Sequence, residues 1–241
     1  MLTNLRVHIV PVGFHRQRVT DPLMRMQADK VYLVSFQPDD AAAVEYFSWV
    51  KDFLATNYRH IEVVEVYLDI WDLFECVEKY REIISEEDDN HVYINVSTGT
   101  KITAMAGMIS CMIWGAQPYY SQVLYSGTGD DRTEEVGDPF ILPVYGVNKP
   151  KIEFLLLLDV LNKSSGVLRK SELISRLEGL DIIKPRNRSE LSSAAKHSQL
   201  RSLLDPMEGE WFFVRVVGSG RGARVEITEQ GLNALRIFGK P

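Results

Sequence analysis

Residues Ser97, Thr98, Gly99, Thr100 and Lys101 bring three hydroxyls, one glycine and one ammonium group into a single five-residue turn. The strand-like run VYINV precedes them, and a helix-like run begins at Ile102. Hydroxyls at such a junction can donate to a ligand, and glycine lets the backbone approach it closely. The first N–H groups of the following helix are unpaired and carry the positive end of its dipole. With the charge of Lys101 added, these groups share one chemistry, the binding of an anion such as phosphate. The alternative is an ordinary strand-to-helix connection with a satisfied cap.

The type of phosphate is narrowed by what the turn lacks. A nucleoside triphosphatase turn reads GxxxxGK[ST], with the last hydroxyl on a magnesium ion. Here Lys101 follows Thr100, Ile102 follows Lys101, and there is no leading glycine. The turn suits a singly charged phosphodiester better than a triphosphate. The stretch GTGDDR at 127–132 lacks the third glycine of a dinucleotide fingerprint and leads into acid, so it reads as a loop over the site.

A second candidate is VGFHRQR at 12–18, directly after an apolar strand. His15, Arg16 and Arg18 can complete a phosphate pocket and Phe14 can stack on a base, if chain topology brings this loop beside the Ser97–Lys101 turn. A solvated basic loop is the plain alternative.

The elements that must position these residues follow from hydrophobic patterning. LRVHIVPV, KVYLVSF, IEVVEVYL and HVYINV read as buried parallel strands. Helical stretches lie between them. DDAAAVEYFSWVKDFLATNY carries Val44, Phe47, Val50, Phe53 and Leu54 on one face, and IWDLFECVEKYREII carries Trp71, Phe74, Val77 and Ile84. Met105, Met108, Met112 and Trp114 read as core packing, and EEDD at 86–89 as a solvated loop. QPYYSQVLY and PFILPVYG are expected to add edge strands. This alternation predicts an α/β fold, a Rossmann-like doubly wound parallel sheet, over residues 1–146.

The pattern changes after the linker around Pro150. Residues 147–241 read as helices over IEFLLLLDVLN and KSELISRLEGL and a third opened by a capping box of Asn187 and Glu190. The strands WFFVRVVG and ARVEIT, joined by SGRG, and a helix capped by Thr228 follow, which together make a winged helix-turn-helix domain. Its basic residues Arg186, Arg188, Lys196, His197, Gln199 and Arg201 would address a DNA major groove, and Arg221 and Arg224 of the wing would meet backbone or minor groove. A solvated face is the alternative for these charges.

Charge supports the division. The chain of 241 residues has a net charge of −6, but residues 1–150 hold 12 Lys/Arg against 22 Asp/Glu (−10), and residues 151–241 hold 15 against 11 (+4). Cys76 and Cys111 fall in helical stretches and read as reduced, buried thiols of a cytoplasmic protein. The five histidines have no metal-ligand spacing, so neither a metal nor a cofactor is expected. No apolar run approaches the ~20 residues of a membrane span. The start MLTNLRVHIVPVG reads as a strand rather than a signal peptide.

NVSTGTK after a fourth strand, GFHR after the first, and a winged helix behind them resemble the CRISPR-associated Rossmann fold (CARF) regulators that carry a winged helix-turn-helix. The resemblance covers nearly the whole chain. It implies a homodimer of an archaeal-rich family of transcriptional regulators in antiviral defence. Their paired sheets form one pocket for cyclic oligoadenylate, commonly the tetra-adenylate. Carried onto this sequence, the ligand-binding residues would be Asn95, Ser97, Thr98, Gly99, Thr100 and Lys101, with Gly13, Phe14, His15 and Arg16 from the first loop. The leading expectation is a ligand-responsive regulator that binds double-stranded DNA. A second is a metal-independent ring nuclease in the same pocket, with Lys101 stabilising charge and Ser97 or His15 orienting attack by the ligand's own 2′-hydroxyl. A third is a winged helix that binds protein. The back half has no R-x₄₋₆-H ribonuclease motif.

Overall fold

The computed structural model describes residues 4–36, 41–127, 133–185 and 191–239. Contacts divide the chain into two compact units, residues 1–147 and 148–241.

In the first unit the order is β1 (Arg6–Pro11), α1 (Arg16–Arg25), β2 (Lys30–Ser35), α2 (Ala41–Asn57), β3 (Glu62–Tyr67), α3 (Leu73–Glu86), β4 (His91–Asn95), α4 (Lys101–Trp114), β5 (Gln117–Tyr120), β6 (Val123–Ser126), β7 (Thr133–Val136) and β8 (Phe140–Ile141). Six strands form one sheet in the order β3-β2-β1-β4-β5-β8. All its pairs are parallel except β5 with β8. Helices α1 and α2 pack together, as do α3 and α4, so the sheet is wound in both directions from β1. Val10, Val31 and Leu33 meet Val19 and Leu23 of α1 and Val50 and Leu54 of α2 in one apolar layer. Each fully buried aliphatic side chain there contributes about 1.5–3 kcal/mol. Helix α4 lies close on β4 because Gly107 leaves room: a Cβ there would come within 2.9 Å of Ile94 and 3.0 Å of Val96. The strand order reverses between β1 and β4, which opens a crevice beyond their carboxyl ends.

Several expectations are corrected. VGFHRQR is not wholly a loop, since Arg16, Gln17 and Arg18 form the first turn of α1. Trp71 lies outside α3, which starts after its cap Asp72; the indole is 59% exposed and rests on Phe36. Val44 and Met105 are exposed rather than core. QVLY leaves the sheet and pairs as β6 with β7 in a separate ribbon, and PFILPVYG contributes only the two residues of β8. Glu87 is no solvated residue of EEDD. It is buried and bonded to Lys30 (2.8 Å), Tyr32 (2.6 Å) and Asn90 (2.6 Å). Burial pushes its carboxyl up, but these bonds prevail and leave it below the usual range.

The second unit runs α5 (Ile152–Asn162), β9 (Val167–Arg169), α6 (Lys170–Gly179), α7 (Ser193–Gly209), β10 (Val214–Val217), a 3-10 turn (Gly220–Gly222), β11 (Arg224–Ile227) and α8 (Glu229–Phe238). This is the winged helix. Leu157, Leu158, Leu161, Leu173, Leu177 and Val225 are fully buried in its core. Strand β9, unforeseen from sequence, makes a three-stranded sheet by pairing Leu168 with Val225. The cap by Thr228 is present, its hydroxyl accepting from Gly231 N at 3.1 Å. Asn187 and Glu190 lie outside the described residues, and α7 is capped by Ser192 instead, which accepts from Ala195 N.

His8 on central β1 is fully buried, stacked on Tyr93 (5.0 Å) and 3.4 Å from the Tyr119 hydroxyl. Burial, aided by the charge of Arg6 and opposed by Asp29, pushes its pKa down to about 3. The folded chain therefore keeps His8 neutral while the unfolded chain takes up a proton below about pH 6.5. Stability is lost as pH falls from about 6.5 towards about 3, by up to ~1.4 kcal/mol per pH unit, and the effect vanishes above that window. Between about pH 7.5 and about pH 5 the front unit should lose ~2 kcal/mol on this account. Urea unfolding of His8→Gln should show a pH dependence shallower by that amount. An unchanged dependence would show that His8 is not held neutral.

Candidate functional site

The turn after β4 is organised by one buried amide. Asn95 is fully buried. Its Oδ1 accepts from Ser97 N (2.9 Å) and from Ser97 Oγ (2.5 Å). Its Nδ2 donates to the Arg18 carbonyl of α1 (3.1 Å). Thr98 Oγ1 donates to the Pro11 carbonyl at the end of β1 (2.6 Å). Thr100 and Thr103 form a reciprocal cap: Thr100 Oγ1 accepts from Thr103 N (3.0 Å), and Thr103 Oγ1 accepts from Thr100 N (2.9 Å). Thr100 Oγ1 then donates to the Ile70 carbonyl (2.9 Å).

These bonds change the assignment made from sequence. The hydroxyl protons of Ser97, Thr98 and Thr100 are spent within the protein. Asn95 is a bracket for the turn, with no surface for a ligand. What the turn still offers is backbone and charge. The N–H groups of Lys101 and Ile102, the first two of α4, have no acceptor among the described residues. The Lys101 side chain is exposed and forms no ion pair among them. Gly99 is exposed, at φ +76°, and a Cβ there would lie 2.5 Å from Pro11 and 2.6 Å from Thr103 Oγ1. Only glycine meets both conditions. Two aligned N–H groups, an ammonium and the dipole of a 14-residue helix make a site for one anionic oxygen group.

The loop after β1 meets the turn at Gly13. A Cβ on Gly13 would come 2.9 Å from Gly99 N, so the two loops touch at the crevice. Phe14, His15 and Arg16 line a separate cleft of about 480 Å³ together with Tyr46 and Glu134. None of residues 95–101 lines it. Arg16 is bonded to Glu45 (2.9 Å) and lies over the rings of Tyr46 (4.7 Å) and Trp49 (4.9 Å). Phe14 meets Tyr46 edge-on, and His15 Nε2 is 3.3 Å from Glu134. Arg18 is occupied too, donating to the Ser121 carbonyl (3.1 Å) over the Tyr120 ring.

The basic residues of the winged helix also separate. His197 and Arg201 are exposed on α7, and Arg201 is 3.5 Å from Asp205 one turn on. Lys196 is paired with Glu178 of α6 (2.6 Å). Gln199 is pinned by both ends of its amide to the backbone of Lys184 (3.2 and 3.1 Å), so it braces the α6–α7 connection instead of reaching out to bases. Arg224 is exposed on β11, and Arg221 falls in the 3-10 turn of the wing. Arg186 and Arg188 lie outside the described residues. A cleft of about 790 Å³ between α7, the start of α6 and the wing is lined by His197, Arg201, Asp205, Glu208 and Lys170. Sequence reading passed over Lys170; a lysine opening a helix beside an unrecognised strand gave no signal.

Comparison with known proteins follows the same division. Residues 6–123 match a family described as HFX_2341_N-like, N-terminal, and residues 153–239 match the DUF6293 C-terminal winged helix domain. The uncharacterized protein MJ1513 of Methanocaldococcus jannaschii is 36% identical over 128 residues, which cover 47% of this chain and 37% of that protein. The alignment thus spans little more than a third of that relative's length. Among solved structures, Enterococcus italicus Csm6 bound to cyclic hexa-2′-fluoro-hexa-dAMP has a TM-score of 0.46 at 12% identity, over 86% of this chain and 56% of that one. Can2 from Sulfobacillus thermosulfidooxidans in complex with cyclic tetra-adenylate has a TM-score of 0.41 at 15% identity, over 97% and 64%. The chain thus joins a region similar to the HFX_2341_N-like N-terminal family to a DUF6293-type C-terminal winged helix domain.

Proposed function

We propose that this protein is a DNA-binding regulator whose front domain senses a cyclic oligoadenylate through the turn at the mouth of α4. The observation that carries the reading is the pair of N–H groups of Lys101 and Ile102, without an acceptor among the described residues, beside a Lys101 ammonium with no ion pair among them, at the crevice beyond the carboxyl ends of β1 and β4. Such a site fits one phosphodiester and has no groups for a triphosphate. The resemblance of NVSTGTK to the CARF motif supports the cyclic oligoadenylate, with tetra-adenylate as the first ring to test. One turn offers one phosphate site, so a ring with several phosphates calls for a homodimer that presents two. The winged helix, with His197, Arg201 and Arg224 exposed on α7 and β11 and Arg221 in the wing turn, supports DNA as the second partner.

The ring-nuclease alternative is weakened by the bonding of its candidate groups. Ser97 gives its proton to Asn95, and His15 stands against Glu134 in a separate cleft.

Calorimetric titration with cyclic tri-, tetra- and hexa-adenylate should reveal one bound ring, recovered intact when the mixture is chromatographed. Recovery of a linear product would favour the nuclease. Lys101→Ala should weaken binding by ~1.5–3 kcal/mol, roughly ten- to over a hundredfold, without change in thermal unfolding. Unchanged affinity in that folded variant would remove the turn from the reading.

Regulation requires the two sites to be coupled. On a duplex selected from a random pool for tight binding, saturating ligand should change DNA affinity by about five- to 150-fold. The DNA should change ligand affinity by the same factor, and Lys101→Ala should abolish both effects. Superimposable DNA titrations with ligand demonstrably bound would refute a regulatory role.

A further inference from the structure

The winged-helix sheet sets two like charges opposite each other, with no acidic partner for either among the described residues. Strands β9, β10 and β11 turn Leu168, Val214 and Val225 inward to the core. Their opposite face is solvent-exposed and carries Arg169, Arg215 and Arg224. The register sets Arg215 across from Glu226, which balances it, but sets Arg224 across from Arg169. Directly opposed side chains of like charge destabilise an antiparallel pair. Neither guanidinium has an acidic partner among the described residues. Glu226 is the single acid among the residues of these three strands.

The conflict sits at the base of the wing. Gly218 and Gly220, at φ +82° and +62°, carry the chain from β10 into the wing turn without bulky side chains. The next residue after Arg169 is Lys170, whose backbone N–H bonds the Ala223 carbonyl (3.0 Å) and ties the start of α6 to the wing. Its side chain has no ion pair among the described residues and lines the α6–α7–wing cleft with His197 and Arg201. The acids of that cleft, Asp205 and Glu208, are occupied by Arg201 and by the Val216 N–H. Arg169, Lys170 and Arg224 thus form no ion pair among the described residues, beside a glycine-rich turn without bulky side chains at Gly218 and Gly220.

We propose that the base of the wing, formed by Arg169, Lys170 and Arg224, is a phosphodiester-binding site for the backbone of duplex DNA. This rests on the DNA-binding reading and adds to α7 and the wing tip a contact site that carries charge without base specificity. A polyanion lying across β9 and β11 converts the repulsion between Arg169 and Arg224 into two phosphate contacts.

The test uses the full chain and a fluorescent random-sequence duplex of about 30 bp, titrated by anisotropy over roughly 50–300 mM KCl. Arg169→Ala and Lys170→Ala should each weaken binding and make the slope of log affinity against log salt less steep by about one. Arg169→Lys should restore the slope. Without DNA, Arg169→Ala should unfold at the same temperature as the wild type or higher, because it removes a like-charge pair. Arg201→Ala serves as the control on α7. If the wild type binds DNA and Arg201→Ala weakens it while Arg169→Ala and Lys170→Ala leave the slope unchanged, the wing-base site is refuted and the DNA-binding reading stands. Failure of Arg169→Lys to restore the slope also refutes it, since packing rather than charge would then matter. A wild type that does not bind the duplex at low salt overturns both.

Discussion

The candidate ligand site depends on the side-chain amide of Asn95. An amide both donates and accepts, and here the protein uses it to join β4, the turn and α1. Its oxygen holds the backbone and hydroxyl of Ser97, and its nitrogen reaches the α1 carbonyl of Arg18. A buried amide with an unpaired group costs about 1–3 kcal/mol, so partners at both ends make this geometry strongly preferred over its neighbours. An aspartate could not donate to Arg18, and a leucine would leave Ser97 and Arg18 unpaired. Because Asn95 sets the direction in which the chain leaves β4, it also sets the direction in which α4 begins. The anion site is therefore a property of backbone placement, with Lys101 as its single charged side chain.

The turn shows how hydroxyl-rich sequence can mislead about ligand contacts. Three hydroxyls beside a glycine suggest three donors for a ligand. In the fold, each donates to a protein acceptor, and what they produce is a rigid frame with its unpaired N–H groups facing outward. Gly13 and Gly99 belong to that frame for a steric reason, as each lies where a Cβ would strike the other loop or its own helix cap. The protein invests its side chains in pre-organising a backbone site, which lowers the ordering cost of binding.

The two units meet different electrostatic demands. The acidic front unit places an exposed lysine at a helix N-terminus, an arrangement suited to one anion without a large basic patch. The back unit leaves Arg169, Lys170 and Arg224 without ion pairs among the described residues while committing Lys196 and Gln199 to hold α6 and the segment after it to α7. Side chains of the same type therefore serve opposite purposes within one helix. Lys196 is half-buried against Glu178, and Arg201 stands in solvent one and a half turns on.

Sequence alone determined the architecture of both domains, because burial imposes periodicity on strands and helices. The alternation of strand-like and helix-like runs predicted a doubly wound parallel sheet, and caps such as Thr228 marked helix starts. It also determined that the Ser97–Lys101 turn stands at a strand end ahead of a helix, which is enough to suggest an anion. Short elements escaped it. Strand β9 has three residues and β8 two, too few for any period to register, and the β6–β7 ribbon depends on pairing across a loop. Only the tertiary structure decided which polar groups remain available. Whether Thr98 faces a ligand or the Pro11 carbonyl, whether Gln199 faces bases or Lys184, and whether Arg16 is free or held by Glu45 depends on partners tens of residues distant. Hydrogen bonds and ion pairs are short-ranged and directional, so their partners become known only when the chain is folded.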